Sequence, residues 1–152
     1  MKKPKVAIIM GSKSNLPIVE KAGSILKDFG VEYEIIVSSA HRQPGRTRAI
    51  AQGLKRKGVD VVIVAAGKAA HLPGVIASWV SIPVIGLPIG TAPLNGIDSL
   101  LSIAQMPKGI PVACVGISEP ENAALLAIQI LGMKYPANAK KFKEHKRKLA
   151  GK

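Results

Sequence analysis

Three short segments contain most of the side chains in this sequence that are suited to act on a small molecule. They are residues 10–15 (Met-Gly-Ser-Lys-Ser-Asn), 38–44 (Ser-Ser-Ala-His-Arg-Gln-Pro) and 66–74 (Ala-Gly-Lys-Ala-Ala-His-Leu-Pro-Gly). Serine hydroxyls and free backbone amides bind anions, arginine holds phosphate with a forked charge, and histidine exchanges protons near neutral pH. Together these residue types predict a site where a phosphorylated small molecule undergoes acid–base chemistry.

The first segment is suited to bind an anion at a turn between a strand and a helix. Gly11 lets the backbone approach a ligand closely, and Ser12 and Ser14 place hydroxyls beside backbone amides. The segment lacks the Walker pattern of nucleoside triphosphate sites and a complete Gly-x-Gly-x-x-Gly. A tight turn with a capping serine explains the same residues equally well, so this segment alone leaves both interpretations open.

The three histidines of the chain differ in their sequence surroundings. His41 is followed by Arg42, and this pair lies beside two other Gly- or Ser-rich segments, which favours a site over a solvated loop. His71 is either a catalytic residue or a structural one that bonds the backbone at a helix start, and both readings stay open. His145 lies in a basic terminal segment, where we expect it to be solvated.

The elements that would position these segments alternate between strands and helices. Short apolar runs predict strands over Val6–Met10, Tyr33–Val37, Val59–Ala66, Pro83–Leu87 and Pro111–Ile117. Helical periodicity predicts helices over Leu16–Phe29, Pro44–Lys57, Leu72–Val80, Gly96–Ala104, Glu119–Leu131 and Tyr135–Leu149. This order predicts a three-layer α-β-α sandwich of flavodoxin or Rossmann type, with about five parallel strands and a C-terminal tail helix. Ligands bind at the carboxyl ends of such strands, where the three segments should meet.

The composition indicates one domain with an aliphatic core. The chain has 152 residues, of which 47% are hydrophobic and only 3% aromatic. The single cysteine, Cys114, lies in an apolar run and is predicted to be a small core residue, and no Cys/His spacing indicates a zinc site. Met1–Lys5 has the charges of a secretion signal, but the apolar run that follows is too short for one, and no stretch approaches the ~20 apolar residues of a membrane span. We therefore expect a cytoplasmic protein with no membrane contact.

The net charge of +13 is concentrated in two stretches of the sequence, residues 42–57 and 140–152. Solvated basic helix faces explain most of it. Nucleic acid is a further possible partner, but the sequence lacks aromatic stacking residues, so only non-specific binding is expected. We divide the chain into an α/β domain over residues 1–134 and a basic tail helix over residues 135–152, which is expected to pack on neighbouring subunits.

Between about residues 6 and 132 the chain resembles the PurE family of purine synthesis. This family contains 5-(carboxyamino)imidazole ribonucleotide mutases and the related aminoimidazole ribonucleotide carboxylases. The matching segments occur in the family order and are residues 10–14, 39–42, 69–74, 83–86, 98–103, 105–107, 109–112 and 122–127. The form Ser-Ala-His-Arg is similar to the mutase class, so the resemblance implies a mutase, with the carboxylase as a minor alternative.

The resemblance also implies roles for individual residues. His41 would be the catalytic acid and base, while Ser12, Ser39 and Arg42 would hold the 5′-phosphate of the ribonucleotide substrate. Carbon dioxide, formed by decarboxylation and trapped before it adds to ring carbon 4, would lie in a pocket shaped by four residues, Gly67, Ala70, His71 and Leu72. The resemblance implies no metal, no organic cofactor and a homo-octamer.

Two predicted substrate-binding residues depart from the family pattern. Asn15 stands where the family has an aspartate that contacts the sugar hydroxyls, and Lys68 stands where it has a second glycine. These changes and the high charge motivate an alternative function, a catalytically impaired or engineered PurE-like scaffold.

Overall fold

The computed structural model describes residues 3–151; Met1 and Lys2, at the start of the leader-like segment, and Lys152, at the end of the basic tail, lie outside the described residues. The described residues form five strands: β1 (Lys5–Met10), β2 (Glu32–Val37), β3 (Val61–Gly67), β4 (Val84–Ile89) and β5 (Ala113–Cys114). The helices are α1 (Leu16–Asp28), α2 (Pro44–Gly53), α3 (Leu72–Ala77), α4 (Ile97–Ala104), α5 (Pro120–Gly132) and α6 (Pro136–Leu149), and a single 3₁₀ turn spans Lys13–Asn15. The predicted alternation of strands and helices is confirmed.

The strands form one parallel sheet in the order β2-β1-β3-β4-β5. The chain first runs from β1 outward to β2 and then crosses to β3 on the other side of β1. The connections therefore diverge between β1 and β3, and a crevice opens at such a point beyond the carboxyl ends of the strands. The segments after β1, β2 and β3 meet at this crevice.

The core lies on both faces of the sheet, as expected for strands that read as continuous apolar runs. Val61–Ala66 of β3 are buried, with most side chains fully inaccessible. One face packs against α1, α5 and α6, and the other against α2, α3 and α4. The result is the flavodoxin-like three-layer α/β fold that the sequence predicts. No helix within residues 3–151 is long and apolar enough to cross a membrane.

Several elements are shorter than their sequence patterns predict. β5 comprises two residues instead of Pro111–Ile117, because it is an edge strand that pairs only with Ile85 and Gly86 of β4, and Pro111 has no N–H to donate. α2 ends at Gly53, where a glycine weakens the helix, rather than at Lys57. α3 ends at Ala77 rather than at Val80.

The tail helix α6 packs on its own chain along one face. Phe142 is half-buried against the apolar cluster beneath α1 and α5, and the buried Asn138 side chain donates a hydrogen bond to the carbonyl of Phe29 over 3.3 Å. The opposite face is basic and exposed. These contacts hold α6 in place within one subunit, and its packing on neighbouring subunits stays a prediction.

Candidate active site

Two adjacent cavities lie at the carboxyl edge of the sheet, between the segments that follow β1, β2 and β3. The smaller one, of about 180 Å³, is lined by Gly11, Ser12, Asn15, Ser39, Ala40, His41, Ala66, Gly67, Ala69, His71 and Leu72. The larger one, of about 390 Å³, is lined by Gly11, Ser12, Lys13, Val37, Ser39, Arg42 and Gln43. We call them the histidine cavity and the basic cavity. Both are lined by Gly11, Ser12 and Ser39, so the two cavities adjoin one another.

The histidine cavity takes its name from two imidazoles in direct contact. His41 Nε2 and His71 Nδ1 are 2.8 Å apart, a hydrogen-bond distance, and the two rings are nearly perpendicular, at 88°. His71 precedes the first turn of α3, where its carbonyl accepts a hydrogen bond from the Val75 N–H. This places His71 at the start of a helix that packs against the sheet, while His41 lies on the loop after β2.

A chain of hydrogen bonds fixes the loop that carries His41. At the end of β2, the buried hydroxyl of Ser38 bonds the buried hydroxyl of Thr47 over 2.8 Å, and the Thr47 hydroxyl also donates to the carbonyl of Gln43. The guanidinium of Arg46 donates to the carbonyl of Val37. The two ends of the loop are therefore tied together, which limits the positions open to His41 and Arg42.

The basic cavity presents cations and hydroxyls. Arg42 Nη2 donates to the carbonyl of Gly11 over 3.2 Å, which ties the loop after β2 to the loop after β1 and leaves other guanidinium N–H groups free to bind a ligand. Lys13 lies on the 3₁₀ turn after β1 and lines the same cavity, together with Ser12 and Ser39, which carry hydroxyls. Because no carboxylate lines this cavity, its chemistry suits a multiply charged anion such as a phosphate monoester.

The structure brings most of the sequence-predicted site residues together. Ser12, Asn15, Ser39, His41, Gly67, His71 and Leu72 line the histidine cavity, and Arg42 lines the basic cavity. Ala70 and Lys68 line neither. Ala70 is buried in the core between the sheet and α3, and Lys68 is exposed with a φ of 54°, a left-handed conformation. The roles of all these residues in binding stay predictions.

Lys13 and Gln43 contribute to the site although neither was predicted from the sequence. Both directly follow predicted site residues in the sequence, so their positions within these two segments could have identified them. Thr47 is a further residue that the sequence analysis missed. It reads as an ordinary helix position, and only the contact with Ser38 shows that it supports the loop.

Within residues 3–151, no cluster of three or more histidine, cysteine, aspartate or glutamate side chains is arranged to hold a metal ion. Cys114 is half-buried on β5, and burial raises the pKa of its thiol. Its thiol is therefore predominantly protonated at neutral pH.

The fold and the site together define a flavodoxin-like α/β protein with a candidate ligand site at the crevice between β1 and β3. Comparison with known proteins makes the assignment specific. The sequence model of the AIR carboxylase family matches residues 5–152, and the chain belongs to that family.

Individual relatives are similar along nearly the whole chain. The N5-carboxyaminoimidazole ribonucleotide mutase of Thermotoga maritima is 52% identical over 146 residues, which cover 96% of this chain and 85% of the relative. The protein of the same name from Pyrococcus abyssi is 55% identical over 143 residues, covering 94% and 82%. The crystal structure of Treponema denticola PurE superposes with a TM-score of 0.88 at 32% identity, covering 98% of this chain and 93% of that one.

Proposed function

We propose that this protein is an N5-carboxyaminoimidazole ribonucleotide mutase, an isomerase that moves a carboxyl group from the exocyclic nitrogen to ring carbon 4 of the same ribonucleotide. The observation that carries the proposal is the contact of His41 with His71 in a cavity that adjoins a basic one. Acid–base groups and a phosphate-binding wall thus lie within reach of one ligand. The names and the degree of identity of the relatives from Thermotoga and Pyrococcus support the same activity.

The different chemistry of the two cavities determines the orientation of the substrate. The 5′-phosphate lies in the basic cavity, where Ser12, Ser39 and Arg42 hold it. The imidazole ring lies in the histidine cavity, and Asn15, which lines that cavity, faces the sugar between them. An amide at this position can accept a hydrogen bond from a sugar hydroxyl without a charge.

His41 acts first as an acid and then as a base. The bond between the exocyclic nitrogen and its carboxylate breaks, carbon dioxide leaves, and His41 protonates the nitrogen to give aminoimidazole ribonucleotide. Ring carbon 4 then attacks the trapped carbon dioxide, and the neutral His41 removes the proton from that carbon. The proton given in the first step is regained in the last, so the reaction needs no net acid or base.

Carbon dioxide must stay beside the ring between the two steps, which requires an apolar enclosure. Ala66 and Leu72, both less than a tenth exposed, line the histidine cavity next to Gly67 and His71. A small apolar molecule is retained there more readily than water, because these side chains offer no hydrogen bonds. A Cβ on Gly67 would lie 3.4 Å from the Thr91 side chain and 3.5 Å from the carbonyl of Ile89 at the end of β4.

The proposal favours the mutase over two alternatives. The carboxylase reaction and a non-catalytic scaffold were both compatible with the residues alone. The relatives that carry the mutase name are covered to 85% and 82% of their length. The Phosphoribosylaminoimidazole carboxylase of Saccharomyces cerevisiae is also 52% identical, but only 23% of its length is covered. The coverage favours an active enzyme that takes its carboxyl group from the substrate.

We also propose an oligomeric state and a cellular location for the protein. Several large apolar side chains are exposed on α4 and the segment before it, namely Leu94, Ile97 and Leu101, each at least half exposed. Burial of such a patch favours association of subunits, and we propose a cytoplasmic homo-octamer. Its measured mass in sedimentation experiments should be eight times the 15.9 kDa of the chain.

The activity is tested by incubating the purified protein with N5-carboxyaminoimidazole ribonucleotide without ATP or bicarbonate and following the ultraviolet absorbance of the 4-carboxy product. We expect turnover by the wild type and at least a hundredfold loss of kcat in His41→Asn, since general acid–base catalysis contributes about 10²–10⁴-fold.

His145→Asn provides the matched control, because His145 lies on α6 and lines neither cavity. We expect its kcat to equal that of the wild type. A wild type without turnover, or equal losses in both variants, would contradict the proposal.

A further inference from the structure

We infer that Lys13 is a second cationic ligand of the substrate phosphate, beside Arg42; this inference rests on the proposed function. The family resemblance assigns the phosphate to Ser12, Ser39 and Arg42. The structure places Lys13 in the lining of the basic cavity with all three of them. The phosphate is then held by two cations instead of one.

The charge of Lys13 is available for a ligand. None of the ion pairs among the described residues includes Lys13, whose side chain is exposed to solvent. The nearby Arg46, in contrast, already donates to the carbonyl of Val37 and to the side chain of Gln43. Lys13 and Arg42 are therefore the two cationic side chains of the basic cavity that can bind a ligand.

Two cations also match the charge of the ligand better than one. A phosphate monoester carries between one and two negative charges near neutral pH. Arg42 is tethered to the Gly11 carbonyl and offers its remaining donors in a fixed plane, while a lysine ammonium offers three donors on a flexible stem. The Lys13 ammonium can therefore neutralise the second negative charge of the phosphate in more than one orientation of the phosphate group.

The position of Lys13 follows from the local fold. Lys13 belongs to the 3₁₀ turn that directly follows Ser12, whose hydroxyl accepts a hydrogen bond from the Ser14 N–H. This turn fixes the backbone of the loop beside the wall that the two cavities share. A residue with a long cationic side chain at this point can reach a group bound at Ser12.

The test measures binding of ribose 5-phosphate and of ribose to the full-length protein by calorimetry, and KM for the nucleotide substrate. In Lys13→Ala we expect the Kd for ribose 5-phosphate and the KM to rise about tenfold, the loss typical of one hydrogen bond to a charged group. Lys13→Arg should bind like the wild type, since it retains a cation. Binding of ribose, which has no phosphate, should be the same in all variants.

Lys21→Ala is the matched control, because Lys21 is an exposed lysine of α1 that lines neither cavity and its loss changes the net charge equally. Equal affinities of Lys13→Ala and Lys21→Ala, or a wild type that binds ribose 5-phosphate no better than ribose, would overturn the inference. If binding depends on Lys13 but the wild type does not isomerise the nucleotide, the inference holds and the proposed function fails. If the wild type isomerises it with a KM unaffected by Lys13→Ala, the reverse is true.

Discussion

His41 Nε2 and His71 Nδ1 share one hydrogen bond, over 2.8 Å, inside the histidine cavity. One of these nitrogens must carry the proton and the other must not, because a hydrogen bond needs one donor and one acceptor. A cationic His41 can therefore donate through Nε2 only while Nδ1 of His71 is unprotonated. In this arrangement His71 orients the ring of His41, the group that protonates the departing nitrogen in the proposed reaction.

Replacement of His71 should consequently slow the reaction more than it weakens binding. His71→Phe removes the acceptor and keeps an aromatic ring of similar size, so we expect kcat to fall roughly 10–100-fold, the value of a hydrogen bond to a charged group. KM should change little. Steady-state kinetics on the nucleotide substrate give both quantities.

His71→Asn distinguishes this positioning role from a role in shaping the cavity. The asparagine side chain retains an acceptor close to the place of Nδ1, and its kcat should lie well above that of His71→Phe. Equal kcat values in the two variants, or a change confined to KM, would show that His71 does not act through His41.

Lys68 has a backbone conformation that disfavours any residue with a Cβ. Its φ of 54° lies in the left-handed region, which glycine adopts at no steric cost. Lys68→Gly should therefore raise the free energy of unfolding, by up to about 1 kcal/mol. Lys68→Ala, which keeps the Cβ, should show no such gain in urea denaturation.

The same two variants test the predicted contact of Lys68 with the substrate. Both remove the ammonium group, so both should raise KM to the same extent if that contact exists. Equal KM values in the wild type and both variants would remove Lys68 from the binding site. No gain in stability for Lys68→Gly over Lys68→Ala would contradict the strain argument.

The elements that the sequence predicts well are those whose burial is dictated by the chain itself. The apolar run Val59–Ala66 predicts a strand buried on both faces, and β3 forms there over Val61–Gly67. Gly30 stops α1 because it readily adopts the positive φ of 75° found there. β5 is different. Its length depends on how far it pairs with β4 at the edge of the sheet, and an apolar sequence pattern contains no information on that pairing.

The candidate site likewise has features that the sequence predicts and features that it does not. The meeting of the three loops follows from the topology of parallel sheets, so a regular alternation of strands and helices suffices to predict it. The direction of single side chains does not follow. Lys68 turns the chain in a left-handed conformation, after which Ala70 enters the core and His71 lines the cavity. A motif identifies these neighbours as a group but not which of them reach the ligand.

Asp60 connects the start of β3 to the segment between α5 and α6. Its carboxylate accepts hydrogen bonds from Lys134 Nζ over 2.8 Å, from the Tyr135 hydroxyl over 2.9 Å and from the Lys5 N–H over 3.3 Å. Burial raises the pKa of Asp60, but these hydrogen bonds outweigh it and hold the pKa below its usual value. A lowered pKa in the folded protein means that the ionised form stabilises the fold.

The ionised Asp60 should contribute its full share to the free energy of unfolding above the pKa of an unfolded aspartate, about 3.9. This contribution should be lost as the pH falls through the lower pKa that Asp60 has in the folded protein. We expect Asp60→Asn to lower the free energy of unfolding by about 1–3 kcal/mol at pH 7. The difference from the wild type should shrink as urea denaturation is repeated at decreasing pH below about 4.

Glu20→Gln is the control. Glu20 has an exposed carboxylate on α1 without an ion pair among the described residues, so this variant should show neither effect. A pH-independent difference for Asp60→Asn would contradict this account.

Gly86 of β4 allows α4 to pack closely on the sheet. A Cβ at this position would overlap the Cγ2 methyl of Ile103, a side chain that is fully buried between α4 and the strand. Gly86→Ala should therefore lower the free energy of unfolding by about 1–3 kcal/mol, the usual cost of overpacking a core. Gly53→Ala, at the end of α2, is the matched control. No atom lies within 4 Å of its added methyl group, and alanine favours helix, so this variant should be as stable as the wild type or more stable.

A double-mutant cycle identifies Ile103 as the cause. Ile103→Ala alone leaves a cavity and should cost about 2–5 kcal/mol. In the double variant Gly86→Ala/Ile103→Ala, the added methyl group occupies space that the isoleucine has vacated, so the loss should be smaller than the sum of the single losses. Additive losses would show that the cost of Gly86→Ala arises elsewhere, for example from the backbone of β4 rather than from its contact with α4.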